Sequence, residues 1–467
     1  MKNSTTKSRK FEFPDTYVIV IILILLVIAL TYILPAGTYD FAEDGKTVLP
    51  GTYHYVEDNP AGIGEFLNSF FKGMQKGSTT IFLVFMIGGA FQILTDTGAI
   101  DAALAALIRK TKGNYKIIIP AVMIMMAILG ALGTGNNVAL AFAPIMVILC
   151  AKLKLDPIVV VATMYFAANS GFSASPINPF TVLLAQNIAG VQIMSGSGPR
   201  ILMWFIFVTI TIVWTMRYCK KIYKDPSKSL VGVYSEDDLD TDEDSALDAV
   251  AEKMSIRHTL NLLVLTITFI IYAWGGVKYD WGLPALGAAM MAMAFVTGII
   301  GGLGPNKMAN SFVRGAQKMV YSGLLIGFAS AINVLMTESN IIHTVIHHLS
   351  MPLQNLPTYL ATIGMYITNV LFNLVISSGS GLAYVVMPIM APFSDLLGIS
   401  RQVAISAYQF GDGLGNALVP TAGLLMGTLG IAKVPYDKWL RFALPCTIIL
   451  SLAAIVFLVV MTAIGWT

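Results

Sequence analysis

Long apolar blocks alternate with short polar segments along almost the whole chain. Tyr17 to Leu34 carries no charged residue, and Ile201 to Met216, Leu260 to Gly276, Leu283 to Gly304 and Ala443 to Thr467 read alike. Each approaches the roughly 20 residues a helix needs to cross a hydrocarbon core. A buried helix of a soluble protein explains one such block but not a series. The pattern predicts an all-α integral membrane protein with nine spanning helices and two re-entrant helical hairpins. Short interfacial helices are expected near 99–110 and 340–349.

The longest polar interruption divides the chain. Residues 229–256 include Glu236, Asp237, Asp238, Asp240, Asp242, Glu243, Asp244, Asp248 and Glu252, directly after a helix ending in Arg217, Lys220, Lys221 and Lys224. Such a run reads as a solvated acidic cytoplasmic linker between a first membrane half, 1–228, and a second, 257–467. The halves repeat each other. A shift of 244 aligns Gly135 with Gly379, Pro144-Ile145-Met146 with Pro388-Ile389-Met390, Phe166 with Phe410, Gly171 with Gly415 and Pro176 with Pro420. A shift of 242 aligns Phe70, Gly73, Gln75 and Lys76 with Phe312, Gly315, Gln317 and Lys318. Ordered matches at nearly constant offset mark an internal repeat.

Basic residues set the orientation. Lys2, Lys7, Arg9 and Lys10 precede the first helix and acidic residues follow it, which puts the N-terminus in the cytoplasm. The first apolar block is too long for a signal-peptide core and is expected to be retained. A hairpin over 114–153 has Lys110, Lys112, Lys116, Lys152 and Lys154 at its feet, so it enters from inside. Its counterpart over 355–398 has histidines, Asp395 and Arg401 at its feet, a composition suited to the outer side. The expectation is two inverted repeats, each with a re-entrant hairpin and a broken transmembrane helix, here 157–190 and 401–432.

Four polar breaks then locate the candidate site. The hairpin tips are Gly133-Thr134-Gly135-Asn136-Asn137 and Ser377-Ser378-Gly379-Ser380-Gly381. The helix breaks are read at 169–179, with Ser173 and Asn178, and at 411–421, with Asp412, Gly415, Asn416 and Thr421. Irregular backbone inside a membrane survives where it lines a cavity or contacts a ligand. The alternative for Gly, Ser and Thr is close helix packing. Helix N-termini at the tips suit a carboxylate. Substrate-binding candidates are therefore Thr134, Asn136, Asn137, Asn178, Ser378, Ser380, Asp412, Asn416 and Thr421. A Na⁺ ion is placed near Gly133, Asn137, Ser173, Gly381 and Gly415.

Composition changes this picture little: 56% of residues are hydrophobic, 12% charged, and the net charge is +3. Cys150, Cys219 and Cys446 are scattered and read as packing residues. Asp412 matters more, because an intramembrane carboxylate marks function by default. Holding a substrate ammonium or guanidinium, coordinating a cation, carrying a proton and capping a half-helix all remain open for it. Its repeat equivalent is Ala168. His343 and His347 have a zinc-capable i, i+4 spacing without further ligands and read as interfacial. Asp96 and Glu338 match across the repeat and read as anchors of the interfacial helices. Gln92, Asn333 and Gln409 read as interhelical hydrogen bonders.

The stretch Pro388-Ile-Met-Ala-Pro-Phe-Ser-Asp-Leu-Leu-Gly-Ile-Ser-Arg-Gln-Val-Ala to Gly411-Asp-Gly resembles the YfcC-like group of the anaerobic C4-dicarboxylate carrier family, within the ion transporter superfamily. The resemblance covers nearly the whole chain. It implies an elevator-type architecture of scaffold plus transport domain, a homodimer, and basic amino-acid exchange of the arginine–ornithine kind. Better-known relatives carry dicarboxylates with Na⁺. The dicarboxylate branch typically has Ser-Asn-Thr at the tips, and the residues at 134–137 and 378–381 depart from it.

The leading expectation is thus a secondary active transporter of amino acids in a bacterial inner or plasma membrane, working by exchange or by coupling to Na⁺ or H⁺. A Na⁺- or H⁺-coupled C4-dicarboxylate carrier is the rival. A membrane-embedded enzyme would need a nucleophile–base pair or metal cluster, and the sequence offers neither. A channel fits two opposed re-entrant hairpins less well than alternating access does. No Gly-x-x-x-x-Gly-Lys-Ser/Thr motif is present for ATP coupling, and no cofactor is expected.

Overall fold

The computed structural model describes residues 16–40, 49, 51–110, 114–234, 254–279, 281–350, 357–420 and 422–467. The basic N-terminal cluster, most of the acidic linker, Thr421 and the side chains of Asn136 and Asn137 lie outside the described residues. In the first half the helices are α1 Thr16–Ile33, α2 Ile63–Asp96, α3 Ala99–Lys110, α4 Tyr115–Ala131, α5 Gly135–Lys152, α6 Pro157–Ser173, α7 Val182–Ile188 and α8 Ser197–Lys224. The second half has α9 Ile256–Tyr279, α10 Leu283–Ile300, α11 Pro305–Lys318, α12 Val320–Glu338, α13 Ile342–Ser350, α14 Thr358–Val375, α15 Gly379–Leu396, α16 Arg401–Asn416, α17 Gly423–Ile431 and α18 Tyr436–Ala463.

Among the described residues the molecule departs from all-α in one place. Strands β1, Gly37–Thr38, and β2, His54–Tyr55, form an antiparallel pair after α1. The pair is seated on α13, where the Gly37 amide donates to Asn340 O at 2.9 Å and the Tyr53 ring stacks on His347 at 4.0 Å. Against nine expected spans, six helices among the described residues are long and apolar enough to cross a membrane: α2, most of α9, and α8, α10, α12 and α18. The other three expected spans are α1, which is uncharged from Thr16 to Ile33, and the interrupted pairs α6–α7 and α16–α17, whose breaks leave pieces shorter than 18 residues.

Helices pack in two groups. In one, α2 lies against α10, α11 and α12, with α1 on α12 and α9 on α10. In the other, α4 packs on α6 and α14 on α16, while α6 and α16 touch each other. The short helices exchange partners, since α7 packs on α15 of the second half and α17 on α5 of the first.

Contacts between the halves come in reciprocal pairs at repeat-equivalent positions. Lys72 Nζ donates to Glu338 at 2.8 Å, and Arg314 reaches Asp96 at 2.5 Å. Lys72 is equivalent to Arg314 and Asp96 to Glu338, both by the shift of 242. The start of α2 therefore meets the end of α12, and its end meets α11, an antiparallel arrangement. Deeper in, Tyr165 Oη donates to Asn416 O at 2.9 Å and Gln409 Nε2 to Phe172 O at 3.5 Å. Here 165 is equivalent to 409 and 172 to 416 by the shift of 244. Between these pairs, Asn169 Nδ2 donates at 2.8 Å to the carbonyl of Gly413, its own equivalent.

Candidate functional site

Both hairpin tips are short. In the first, α4 ends at Ala131, and the chain reverses through Leu132, Gly133 and Thr134. Gly133 has φ +84°, where an L side chain is strained. In the second, Ile376 to Ser378 link α14 to α15, and the Ser378 hydroxyl accepts from the Gly381 amide at 3.4 Å. Thus α5 and α15 begin at the tips with their positive dipole ends.

The helix breaks lie further along the chain than the sequence suggests. Helix α6 runs to Ser173, with a π-turn at Ala162–Phe166, and the first break is 174–181. Helix α16 continues through Gly411, Asp412, Gly413 and Gly415 to Asn416, so the second break is 417–422. These glycines admit neighbours rather than unwind. A Cβ on Gly413 would lie 2.5 Å from Ser173 Cα, and one on Gly415 2.2 Å from Asn373 Oδ1. Close packing, the alternative weighed for small residues, explains this stretch.

The first break is lashed to the first tip. Ser175 Oγ donates to Ala131 O at 2.8 Å, and Asn178 Nδ2 to Gly130 O at 3.2 Å. Asn178 Oδ1 also accepts the Phe180 amide at 2.9 Å. Asn178 is fully buried and holds this turn, and it lines neither of the two spaces described next.

A cavity of about 240 Å³ brings the two tips together. Gly133 and Gly135 line it from one side and Ser378, Gly379 and Ser380 from the other. Phe172 and Phe180 contribute aromatic faces, and Lys318 and Ser322 close it from the α11–α12 side. A larger space of about 570 Å³ adjoins it, shares Gly133, Phe180 and Lys318, and reaches Thr134 and the inner part of α2. Among the described residues, Lys318 is the only charged one lining either space; its Nζ donates to Gln92 Oε1 at 2.7 Å. With two helix N-termini and three serines, it makes the cavity suited to one carboxylate.

Of the expected substrate residues, Ser378 and Ser380 line the cavity and Thr134 lines its neighbour. Asp412 does not face it. The carboxylate is fully buried behind Gly379, where a Cβ would come within 2.8 Å of Asp412 Oδ2. Its Oδ1 accepts from Asn373 at 3.0 Å and Asn416 at 3.4 Å. Among the expected Na⁺ residues, Gly133 borders the cavity, Ser173 bonds to Asn169 O, Gly381 packs on Leu325 and Gly415 on Asn373. Asn136, Asn137 and Thr421 cannot be placed by side chain, lying outside the description. His347, weighed for zinc, instead meets Tyr39 Oη at 2.8 Å and stacks on Tyr53. Sequence reasoning did not single out Lys318, which lines both spaces, or Asn373, which holds Asp412. Lys318 stands just before the apolar run of α12 and Asn373 inside that of α14, and those signals were present.

The sequence model of the C4-dicarboxylate anaerobic carrier family matches residues 13–463. The chain is 34% identical to YfcC of Escherichia coli (strain K12), provisionally named a basic amino acid antiporter, over 93% of each chain. It is 30% identical to an uncharacterised protein of Haemophilus influenzae (strain ATCC 51907 / DSM 11121 / KW20 / Rd), over 99% of each. Among solved structures, the YdaH transporter of Alcanivorax borkumensis superposes with a TM-score of 0.72 at 18% identity, covering 97% of this chain and 99% of that one. MtrF of Neisseria gonorrhoeae, from a class described as antimetabolite efflux pumps, gives 0.68 at 18% identity, over 96% and 95%. Both structural likenesses bear on the fold.

Proposed function

The chain belongs to the C4-dicarboxylate anaerobic carrier family, whose members are multi-pass membrane transporters and not enzymes, and from that premise we propose that it is a secondary active transporter of amino acids, cationic ones foremost. The carrying observation is the tip cavity with Lys318 as its one charged group. One lysine and two helix N-termini supply the positive charge that a substrate carboxylate needs away from water. The rings of Phe172 and Phe180 supply faces for an ammonium or guanidinium. The name carried by the Escherichia coli relative points the same way. The C4-dicarboxylate alternative draws on the family name.

Mechanically, the reading is two inverted repeats in an elevator-type transporter. The reciprocal pairs Lys72–Glu338 and Arg314–Asp96 join antiparallel helices, as a two-fold axis in the membrane plane requires. In this reading α2 and α10–α12 belong to the scaffold, and α4–α7 with α14–α17 form the transport domain. Assembly as a homodimer in a bacterial inner membrane, N-terminus inside, completes the proposal. Exchange in liposomes with labelled arginine, ornithine, aspartate and succinate tests it. Arginine or ornithine exchange is expected, reduced at least tenfold in Lys318→Gln; transport of succinate alone overturns the substrate class.

A further inference from the structure

We propose that a cavity between α4 and α9 binds one acyl chain of an anionic phospholipid, behind the first hairpin tip and apart from the substrate cavity. The site itself stands on the chain being a membrane protein; its effect on substrate rests on the amino-acid reading above.

The cavity holds about 440 Å³. Helix α3 packs on both α4 and α9 and closes one side through Ile100 and Ala103. Helix α4 contributes Met125 and Leu129, and among the described residues no charged one lines the space. Its one hydroxyl, on Thr266, donates to Leu262 O at 2.9 Å. Water finds no partners there, and an apolar space of this kind stays dry. The rim is open, with Ile128 47% and Ile270 61% exposed. Because α9 is apolar enough to cross the membrane from Ile256 to Gly276, the rim faces hydrocarbon, and a chain of methylenes matches the lining.

Helix α9 selects a phospholipid over a bare hydrocarbon. Arg257, Asn261, Leu265 and Phe269 recur at four-residue spacing and share one face. Leu265 and Phe269 line the cavity. One turn nearer the helix start, Asn261 is fully buried, and neither atom of its amide has a hydrogen-bond partner. A buried amide unpaired at both ends is costly until a ligand completes it. One turn further out, Arg257 is exposed and takes no part in the ion pairs among the described residues. At 1.5 Å per residue, Arg257 stands about 6 Å along the axis from Asn261 and about 12 Å from Leu265. Cation, amide and apolar wall thus follow in the order of phosphate, ester and acyl chain.

The inner end of the cavity reaches the first tip. Leu132 in the chain reversal and Ile177 in the first break both line it. The next residue, Gly133, lines the substrate cavity. A chain in one space therefore backs the tip that substrate meets in the other. Both ligands stabilise the same tip, which is positive coupling.

The test uses the purified full-length protein in detergent with added dioleoyl phosphatidylglycerol or dioleoyl phosphatidylcholine. Native mass spectrometry reads lipid retention, and the melting temperature reads binding. Wild type should retain phosphatidylglycerol and show a saturating rise in melting temperature, weaker with phosphatidylcholine. Thr266→Trp fills the cavity from its exposed rim and should raise the half-saturating lipid concentration about tenfold or more. Asn261→Leu should do the same while leaving the lipid-free protein at least as stable as wild type, since it removes an unpaired amide. Arg257→Gln should make the two lipids equivalent. Phosphatidylglycerol should also tighten arginine binding in wild type and not in Thr266→Trp. An equal response of wild type to both lipids, or an undiminished response in Thr266→Trp and Asn261→Leu, overturns the site. Arginine binding indifferent to lipid overturns the link to the tip. Absent arginine binding, with lipid retention intact and lost in Thr266→Trp, would sink the substrate reading and leave the site standing.

Discussion

Gly413→Ala is expected to destabilise the protein through a single added methyl group. At Gly413 helices α6 and α16 cross, and the new Cβ would stand 2.3 Å from Ser173 Oγ and 2.5 Å from both its Cα and Cβ. Non-bonded carbons settle near 3.5–4.0 Å, so the helices must part by roughly an ångström. Overpacking of this kind costs about 1–3 kcal/mol. The shift also stretches the 2.8 Å bond from Asn169 to Gly413 O, worth about 1 kcal/mol. Together these come to about 2–4 kcal/mol. At about 2 °C per kcal/mol for a long chain, the melting temperature in detergent should fall by roughly 4–8 °C. Adding Ser173→Gly removes Oγ and Cβ but leaves Cα in place, so recovery should be partial. Gly430→Ala is the control: nothing lies within 4 Å of its Cβ position near the end of α17, and it should be neutral or slightly stabilising. A Gly413→Ala protein that melts within about a degree of wild type would refute the close-approach argument. Complete rescue by Ser173→Gly would move the clash from backbone to side chain.

Three further outcomes can be checked by the same melting assay joined to transport. Gly133→Ala should cost about 1–3 kcal/mol, because it combines a positive φ with a Cβ 2.7 Å from the Phe180 ring; equal stability would remove the case for strain at the tip. Lys72→Met should shift stability by less than about 1 kcal/mol, since both partners of its ion pair are near 40% exposed, with side-chain values of 39% and 42%. Its counterpart Asp96→Asn should cost more, its carboxylate being 17% exposed and shared by Arg314 and Ser311; a reversed order would contradict the burial argument. Asn178→Ala should slow exchange more than it lowers melting temperature, by loosening the first tip; unchanged exchange rates would deny the lashing a role.

The repeat was readable at the level of residue types, and the structure uses it at the level of pairings. The aligned Gln75/Gln317 and Lys76/Lys318 positions said that the halves were related. They did not say that Lys72 would meet Glu338 while Arg314 met Asp96, because an offset carries no information on which partner a residue finds. The breaks were misplaced for a related reason. Glycine permits irregular backbone and close approach alike, and only the neighbour decides between them. At 411–415 the neighbours are Asn369, Ser173 and Asn373, so the helix stays intact and the chain breaks after Asn416.

Asp412 was legible as important and illegible as to side. A carboxylate between glycines in an apolar run announces a function, but which face of α16 it occupies depends on where α15 begins. The structure starts that helix at Gly379, directly against Oδ2, and so turns a residue expected in the substrate cavity into one behind its wall. Lys318 shows the converse. At the end of α11 it aligns with Lys76 across the repeat, yet the two have different neighbours. Lys76 bonds to Asn333, with the Thr337 hydroxyl also on that amide oxygen, whereas Lys318 bonds to Gln92 at the edge of the tip cavity. Repeat-equivalent residues thus perform different work because the cavity is not itself repeated. Asp412, fully buried outside the lining of the tip cavity, and Lys318 at its edge have Ala168 and Lys76 at their repeat-equivalent positions, so neither the acid nor the cavity lysine has a twin in the same role.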